Sequence, residues 1–338
     1  MESKIKPDSN NAFQNTLDKT IHKIQQTASD SKSIGGLPTG FTKLDEMTSG
    51  FRRGDLFVIG GRPTMGKTSL ALSIVNNLCK NKHSVLFFSL IDSSETVALR
   101  LISNNCLINY NALLQGDLVE NEWSKFDKGI PNMEQYSLII DDENDNDIEY
   151  IKKKTNEVVQ NGSIDLVVID CIQFIENNNP KAANKYEQMA DITRELKNLA
   201  RKCDVPILAT SQLNRKTNGN DDFEYKRPEL CQLRDSGTIE EDADVVLLIH
   251  RPEYYHIYRD ENGNDLRDMA QIIVAKNNRG PRGDVLLKFQ GEYLRFDDPK
   301  EKWMEPSTEK GAFIPPEADP FGPPPDEEIL VKKYLISK

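Results

Sequence analysis

Cysteine is scarce in this sequence and follows no regular spacing. The 338 residues include five cysteines, an odd number, and no two of them form a C-x-x-C pair. Disulfide-bonded domains and zinc sites both need paired or clustered cysteines, so this arrangement argues against each. We expect reduced and mostly buried side chains at Cys79, Cys106, Cys171, Cys203 and Cys231.

Long apolar runs and an excess of positive charge are also missing. No apolar run approaches the roughly 18 residues that cross a bilayer, and residues 1–11 are too polar for a secretion signal. These absences predict a cytoplasmic protein without a membrane partner. The net charge of −11 gives no overall sign of nucleic acid binding, so contact with DNA would need a local basic strip.

From Gly54 onward the sequence alternates apolar strands with amphipathic helices, which is typical of an α/β fold with a doubly wound, mainly parallel sheet. Strands are predicted at Leu56–Ile59, Val85–Leu90, Leu138–Asp141, Leu166–Asp170, Pro206–Thr210 and Val245–Ile249. Helices are predicted at Lys67–Cys79, Thr96–Asn104, Ile148–Gln160 and Tyr186–Cys203. Ile272–Ala275 and Val285–Phe289 predict a hairpin added at one edge of the sheet.

Both ends of the chain differ in composition from this central domain, which is predicted over residues 34–298. Residues 1–33 are polar, yet they carry an apolar stripe at helical spacing, which predicts an amphipathic helix followed by a linker. That helix can fold back on its own domain or dock on a neighbouring subunit. Residues 299–338 contain many prolines and acids and predict a flexible tail. The apolar stripe consists of Phe13, Leu17, Ile21 and Ile24.

A phosphate-binding loop is predicted directly after the first strand. Residues 61–68 match G-x-x-x-x-G-K-S/T and open the following helix, so backbone N–H groups and the helix amino terminus can point at phosphate oxygens. Lys67 is predicted to neutralise the β- and γ-phosphates of ATP. The predicted nucleotide-binding residues are Gly61, Arg62, Pro63, Thr64, Met65, Gly66, Lys67, Thr68 and Ser69.

A magnesium site is predicted beside this loop. The apolar strand Leu166–Asp170 ends in a carboxylate, an arrangement that holds a water-coordinated Mg²⁺ next to a bound nucleotide. Asp170 is therefore the predicted acid, and Thr68 is predicted to offer its hydroxyl oxygen to the same ion. ATP and Mg²⁺ are the expected cofactors.

Several stretches together resemble the carboxy-terminal, RecA-like ATPase domain of the replicative DNA helicase family, DnaB type. The resemblance covers roughly residues 34–297, and its last two stretches are the most specific to these helicases. The family also has a separate amino-terminal domain, for which the 33 residues before Ile34 leave no room. The stretches are Gly36–Phe41 with Leu44–Asp45, Arg62–Thr68, Ser211–Arg215, and Lys226–Leu230 continuing to Leu233–Asp244.

The resemblance implies an ATP-dependent helicase that unwinds duplex DNA during replication in the 5′ to 3′ direction. It implies a homohexameric ring around single-stranded DNA, with ATP between subunits and a possible loader or other replication protein as partner. Gln212 would sense the γ-phosphate. DNA backbone contacts would fall to Arg215, Asp235, Ser236 and Gly237, and such contacts are tolerant of sequence and sensitive to salt.

The sequence departs from the family where a glutamate polarises the attacking water. That position is Ile91, which cannot accept a proton, so general-base assistance of about 10²–10⁴-fold is expected to be missing. Asp92 lies one residue further, where an extended backbone turns its side chain to the other side. Glu95 is expected in the first turn of the next helix, where its charge suits the amino terminus.

A second departure lies in the predicted hairpin turn. The family has an arginine finger at the position of Asn278, whereas this chain has its arginine one residue later, at Arg279. Lys276 matches the family and can reach a neighbour's γ-phosphate. Arg279 supplies the finger if the loop slips by one residue, and loss of the finger would remove much transition-state charge stabilisation.

Three functions remain open from the sequence. The first is a DNA helicase in which Lys67, Asp170, Gln212, Lys276 and Arg279 carry out ATP hydrolysis. The second is a hydrolysis-impaired ring protein that binds nucleotide and DNA with a regulatory or structural role, which the two departures permit. The third is a recombinase-like filament ATPase, against which the long match over Lys226–Asp244 argues.

Overall fold

The computed structural model describes residues 13–18, 20–22, 25, 35–143, 145–177, 184–213, 227–260 and 262–299, except for the side chains of residues 185 and 234–238. These residues form one sheet in the order β3-β2-β4-β5-β1-β6-β7-β8-β9. Strands β1 to β6 are parallel, and β7, β8 and β9 are added antiparallel at one edge. The strands are β1 Leu56–Gly61, β2 Val85–Ser89, β3 Leu138–Asp141, β4 Leu166–Asp170, β5 Ile207–Gln212, β6 Val245–His250, β7 Met269–Asn277, β8 Gly283–Gln290 and β9 Arg295–Asp297.

Helices cover both faces of this sheet. Successive strand residues alternate between two apolar layers, as the two-residue period of a strand requires: in β1, Phe57 and Ile59 join one layer, while Leu56 and Val58 join the other. Helices α2 and α3 pack on the first layer, and α6 and α7 on the second. The helices are α1 Thr42–Thr48, α2 Lys67–Lys80, α3 Ser94–Cys106, α4 Tyr110–Gln115, α5 Glu120–Met133, α6 Ile148–Asn161, α7 Lys185–Cys203 and α8 Gly237–Asp242.

Because β1 to β6 are parallel, their ends lie on two opposite sides of the sheet, distinct from its outermost strands. The carboxyl ends of β1, β4, β5 and β6 lie on one of these sides, called here the carboxyl edge, where ligands bind in open α/β sheets. Their amino ends define the amino edge. Because β7 runs antiparallel to β6, with Asn277 opposite Val245, the turn after β7 lies at the amino edge.

The predicted strands and helices are confirmed, with ends that differ by up to three residues. The hairpin at the sheet edge is confirmed as β7 and β8, and β9 extends it. Helices α1, α4, α5 and α8 and strand β9 were not predicted. Within the described chain no helix has the length and apolar character needed to cross a bilayer.

The structure describes only part of the amino-terminal stripe and almost none of the predicted tail. Phe13, Leu17 and Ile21 fall on helical backbone and are solvent-exposed, while Ile24 lies outside the described residues. The predicted tail lies outside the described residues from residue 300 onward.

Candidate functional site

The loop between β1 and α2 is shaped by glycine and held from behind by aromatic rings. Gly66 has φ 95°, a left-handed conformation that favours glycine, and it is the N-cap residue directly before helix α2. A Cβ at Gly66 would approach the ring of Phe296 within 3.2 Å. No side chain caps the 14-residue helix α2, so its first N–H groups face the loop and favour an anion there.

Lys67 is the cation of this loop. Its Nζ donates a hydrogen bond to the carbonyl oxygen of Arg62 at 3.3 Å. Burial lowers the pKa of Lys67, and the nearby Cys171 and Asp170 partly offset this. A phosphate is a stronger acceptor than a carbonyl, since a hydrogen bond to a charged partner is about twice as strong as a neutral one.

Asp170 joins the loop to two strands. Its Oδ2 accepts a 2.6 Å hydrogen bond from the Thr68 hydroxyl, and its Oδ1 accepts one from the Thr210 hydroxyl. The carboxylate is buried at the carboxyl end of β4, beside Ser89 of β2. The oxygens of Thr68 and Asp170 are hard donors of the kind that Mg²⁺ prefers. Thr210 was not predicted, although its place near the carboxyl end of β5 was a usable signal.

Gln212 lies beside the first residue of the loop. It is paired with Gly61 across β5 and β1, and its side chain is exposed. Its backbone N–H donates to Gln173 Oε1 at 3.1 Å, and Gln173 Nε2 donates to the Ser211 hydroxyl at 2.8 Å. Gln173 thus ties the segment after β4 to the end of β5. Gln173 was not predicted, because the two strands are adjacent only in the folded chain.

Ile91 occupies the expected water-activating position as an exposed apolar side chain, 54% accessible, just beyond β2. Asp92 is engaged elsewhere: its Oδ2 lies 3.1 Å from Nε of Arg100. Glu95 lies in the first turn of α3, which Ser93 caps. Neither neighbouring carboxylate therefore takes the place of the missing glutamate in this arrangement.

Arg62 links the loop to the segment after β6. Its Nη1 donates to the Tyr255 hydroxyl at 2.8 Å, and its guanidinium carbon lies 5.8 Å from the centre of that ring. The Tyr255 ring stacks on His250, the last residue of β6. Burial lowers the pKa of His250 to about 4. This support was not predicted from the sequence.

Residues of the first resembling stretch brace helix α2. Asp45 Oδ1 accepts from the Thr39 N–H at 2.7 Å, and Asp45 Oδ2 accepts from the Gly40 N–H at 3.1 Å. Asn77 of α2 donates to the Thr39 carbonyl oxygen at 3.2 Å, and a Cβ at Gly40 would clash with Asn77. Burial raises the pKa of Asp45. The role of this stretch is architectural.

Lys276 and Arg279 lie at the amino edge, away from the loop of their own chain. Lys276 Nζ donates to the carbonyl oxygens of Glu240 and Glu241, at 2.6 and 3.2 Å. Arg279 Nη2 lies 3.2 Å from Oδ1 of Asp55, the residue before β1. Since the loop follows β1, six residues at about 3.3 Å each separate the two places by roughly 20 Å. One chain does not bring these cations to its own loop.

The residues predicted to contact DNA are only partly covered by the structure. Arg215 lies outside the described residues, and so do the side chains of Asp235, Ser236 and Gly237. Their backbone follows a 3-10 helix over Leu230–Ser236 that leads into α8. Upstream, Arg227 Nη2 makes bonds of 2.6 and 2.7 Å to the two carboxylate oxygens of Asp284 on β8.

The sheet order and the glycine-shaped loop after β1 define a P-loop nucleotide-binding domain of the RecA-like class. Residues 36–298 match the model of one family, described as the DnaB-like helicase C terminal domain. The chain belongs to this family.

Proteins of known name and structure agree with this assignment. The chain is 41% identical over 267 residues to "Probable replicative DNA helicase" of Trieres chinensis, covering 78% of this chain and 58% of that protein. It is 34% identical over 305 residues to "Replicative DNA helicase DnaC" of Bacillus subtilis (strain 168), covering 89% and 65%. This chain thus matches less than two thirds of either relative's length.

Two solved structures are also similar. The "ATPase Domain of G40P" superposes with a TM-score of 0.75 at 31% identity, covering 87% of this chain and 100% of that one. A structure described as a DnaB-like replicative helicase and its interactions with primase gives a TM-score of 0.73 at 30% identity, covering 88% and 68%. These likenesses cover most of the chain, so they bear out the predicted RecA-like fold.

Proposed function

We propose that this chain is the motor domain of an ATP-dependent replicative DNA helicase, which hydrolyses ATP, moves along single-stranded DNA and separates the duplex 5′ to 3′. The observation that carries the proposal is the contact of Thr68 with Asp170 beside Lys67, in a loop that leads into an uncapped helix amino terminus. The names of the relatives support the activity. We place the protein in the cytoplasm.

Nucleotide binding is assigned to the loop of residues 61–69. Backbone N–H groups of the loop and of α2 hold the phosphates, and Lys67 exchanges the Arg62 carbonyl for β- and γ-phosphate oxygens. Thr68 and Asp170 hold Mg²⁺, which when bound neutralises charge on the phosphates. Gln212, next to Gly61 at the end of β5, passes the state of the γ-phosphate to the segment that follows.

The complete hydrolytic site is proposed to form between two copies of the chain. Lys276 and Arg279 lie roughly 20 Å from their own loop by the length of β1, which is too far for hydrolysis within one chain. A head-to-tail arrangement places the amino edge of one copy against the carboxyl edge of the next. If the rotation closes, such heterologous contacts make a ring, and a homohexamer is the proposed state.

Exposed apolar side chains support association of this kind. Phe13, Leu17 and Ile21 present an apolar stripe to solvent, as helix amphipathicity predicts for a docking segment. A second exposed group lies on and beside α4 and α5 and consists of Leu107, Leu114, Val119 and Trp123. Contiguous exposed apolar side chains mark interaction surfaces, and we assign the stripe to a neighbouring copy.

Single-stranded DNA is the proposed polymer substrate. Arg215, Asp235, Ser236 and Gly237 are proposed to contact its backbone within the ring. Since such contacts go to phosphates, binding should tolerate any sequence and weaken as salt rises. A replication protein that loads or accompanies the ring is a further proposed partner, and one similar structure is described together with primase.

A second candidate is a ring protein that binds nucleotide and DNA but hydrolyses slowly. The observation that favours it is the exposed Ile91 at the water-activating position, with Asp92 engaged by Arg100. In this function the ring would have a regulatory or structural role.

Steady-state ATPase and fork-unwinding assays on the chain, with and without single-stranded DNA, separate the two candidates. The helicase hydrolyses ATP, is stimulated by DNA and unwinds forks. The slow ring protein binds nucleotide and DNA, but it hydrolyses ATP only slowly and does not unwind forks. Asp170→Asn should abolish Mg²⁺-dependent turnover. Asp165→Asn is the matched control, because Asp165 lies just before the same strand at the amino edge and accepts from the Ser84 N–H at 2.9 Å. Failure of the unsubstituted chain to bind Mg-ATP in calorimetry would contradict both candidates.

A further inference from the structure

A cluster of buried charged residues lies beneath the turn between β7 and β8. Asp55, Asp244 and Lys197 are each less than 8% accessible. Lys197 Nζ makes an ion pair with Asp244 Oδ2, lies 3.7 Å from Asp55 Oδ1 and donates to the Gly54 carbonyl oxygen at 2.7 Å. Asp244 Oδ2 also accepts from the Leu56 N–H at 2.8 Å. The cluster therefore joins α7 to the amino edge of the sheet.

The first two side chains of the turn, Asn278 and Arg279, point in opposite directions. Asn278 faces the protein: its N–H donates to the Asp244 carbonyl oxygen at 3.0 Å, and its Nδ2 donates to Asp244 Oδ1 at 3.4 Å. Arg279 faces outward and is 51% accessible, while its Nη2 lies 3.2 Å from Asp55 Oδ1. Of these two side chains, the one on the surface is thus the cation at position 279, one residue after the family position.

The backbone of the turn is fixed in this register. Asn277 Nδ2 donates to the carbonyl oxygens of Met47 and Pro281, both at 3.1 Å, and Asn277 Oδ1 accepts from the Arg279 N–H at 3.2 Å. A Cβ at Gly280 would lie 2.6 Å from Asn277 and 2.8 Å from the Met47 oxygen. A slip of one residue would break these bonds and place a side chain where only glycine fits. The turn therefore presents Arg279 without any slip.

The charges make Asp55 and Arg279 interdependent. Burial and the neighbouring Asp244 raise the pKa of Asp55, while Arg279 and Lys197 oppose that rise. Arg279 is thus one of the cations that favour the ionised form of Asp55. A guanidinium has five N–H donors in a planar fork, so one edge can bind Asp55 while the other stays free for a second acceptor.

We propose that Asp55 is a positioning residue for Arg279, holding one edge of the guanidinium so that the opposite edge meets the γ-phosphate bound to the adjoining copy. The inference rests on the proposed function and deepens it. Pre-orientation of a long side chain lowers the entropy lost when it stabilises developing charge. Asp55 acts through Arg279 and does not itself touch the nucleotide.

A double-mutant cycle on ATP turnover tests the inference. The proteins are the full chain, Asp55→Asn, Arg279→Ala and the double variant, with Arg282→Ala as control, since Arg282 is an exposed arginine on the same turn. DNA-stimulated kcat and KM are measured together with oligomer mass and folding by circular dichroism. We expect Arg279→Ala to lower kcat by roughly 10³-fold or more. Asp55→Asn should lower kcat by about tenfold with little change in KM, and should add nothing to Arg279→Ala.

Arg279→Lys supplies a second test that leaves the buried cluster intact. An ammonium is a point charge without the planar fork, so it cannot bridge Asp55 and a phosphate in the same way. Its kcat should resemble that of Arg279→Ala.

The inference is overturned if Asp55→Asn lowers kcat equally with and without Arg279, which indicates a structural role, or if it leaves kcat unchanged. It is also overturned if Arg279→Lys turns over like the unsubstituted chain. Absence of turnover in the unsubstituted chain contradicts the proposed function itself, and the inference falls with it. That failure is distinguishable because it appears before any substitution.

Discussion

Asp170, at the end of β4, connects β5 with the phosphate-binding loop through its two carboxylate oxygens. Thr68 takes one oxygen and Thr210 takes the other, so the carboxylate has a fixed orientation before any ion is bound. Fixed donors of this kind need little reorganisation when a ligand arrives, which is how preorganised sites gain affinity and rate. At the scale of single residues, the carboxylate of the proposed Mg²⁺ site is therefore already oriented within one chain.

Ile91 is the residue at which this site differs most from what hydrolysis needs. We expect Ile91→Glu to raise DNA-stimulated kcat by roughly tenfold to a hundredfold, because a carboxylate there can orient and deprotonate water. Ile91→Gln is the matched control, with the same length as glutamate and no basic oxygen. The side chain is exposed, so neither change should cost much stability. Equal turnover of the two variants would show that the position does not activate water.

His250 gives the protein a dependence of stability on pH. Its pKa falls from 6.5 to about 4 on folding, chiefly through burial and also through Arg227 and Arg62. Between these values the unfolded chain binds a proton that the folded chain does not. The contribution of His250 to the unfolding free energy is therefore fully present above its pKa in the unfolded chain and is lost as pH falls. From about pH 7 to about pH 5 the loss should be on the order of 2 kcal/mol.

Urea unfolding of the unsubstituted chain and of His250→Gln at both pH values measures this loss of unfolding free energy. On acidification the variant should lose less unfolding free energy than the unsubstituted chain, and the difference should be on the order of 2 kcal/mol. Parallel pH dependence in the two proteins would mean that His250 does not titrate differently on folding.

The residues of the loop were predictable because the motif is contiguous, and its position between strand and helix is visible in the sequence. Thr210, Gln173 and Tyr255 were not predicted, because they reach the loop from segments that become its neighbours only in the sheet. The orientation of Arg279 was also beyond the sequence. It depends on Asn277, Gly280 and the buried Asp55, whose contacts exist only in the folded turn.

At the scale of elements, β9 supports the nucleotide loop although it has only three residues. Phe296 of β9 lies against Gly66 and packs on Phe289 of β8, with ring centres 4.7 Å apart. We expect Phe296→Ala to cost roughly 3–5 kcal/mol of unfolding free energy, through lost burial and the cavity left behind. Nucleotide affinity should fall as well, because the loop loses its backing.

Chemical denaturation and calorimetry with Mg-ATP measure these two effects. Leu286→Ala is the control, since Leu286 is an exposed residue of β8 and its loss should cost about 1 kcal/mol or less. If the two variants are equally stable and bind nucleotide equally, β9 does not support the loop.

Strands and helices that form the core were predicted, whereas short helices and helices that bury no residue were not. The β1 to β6 strands are apolar runs, and α7 carries a regular stripe that packs into the core. Helices α4 and α5 have no fully buried residues, and α5 contains Gly129 and Pro131, which oppose a helix interior. Strand β9 is too short for any period to show.

At the scale of the whole molecule, the two halves of the proposed hydrolytic site lie on opposite edges of the sheet. The loop with Lys67 and Asp170 lies at the carboxyl edge, and the turn with Lys276 and Arg279 lies at the amino edge. An assembly in which each copy contacts the next head to tail brings the halves together. The exposed stripe at Phe13, Leu17 and Ile21 is the surface that we assign to contact between such copies.

Mixing two inactive variants shows whether two copies of the chain share one hydrolytic site. Lys67→Ala removes the nucleotide half of the site and keeps Arg279, while Arg279→Ala keeps the loop and removes the other half. ATP turnover is measured for each variant alone and for equal mixtures after subunit exchange, with oligomer mass followed throughout. Each variant alone should be inactive. In the mixture about one quarter of the contacts between neighbours should combine an intact loop with an intact arginine, and turnover should return to about that fraction. If the mixture stays inactive although mixed assemblies form, or if either variant hydrolyses ATP alone at the unsubstituted rate, the site is not shared between copies.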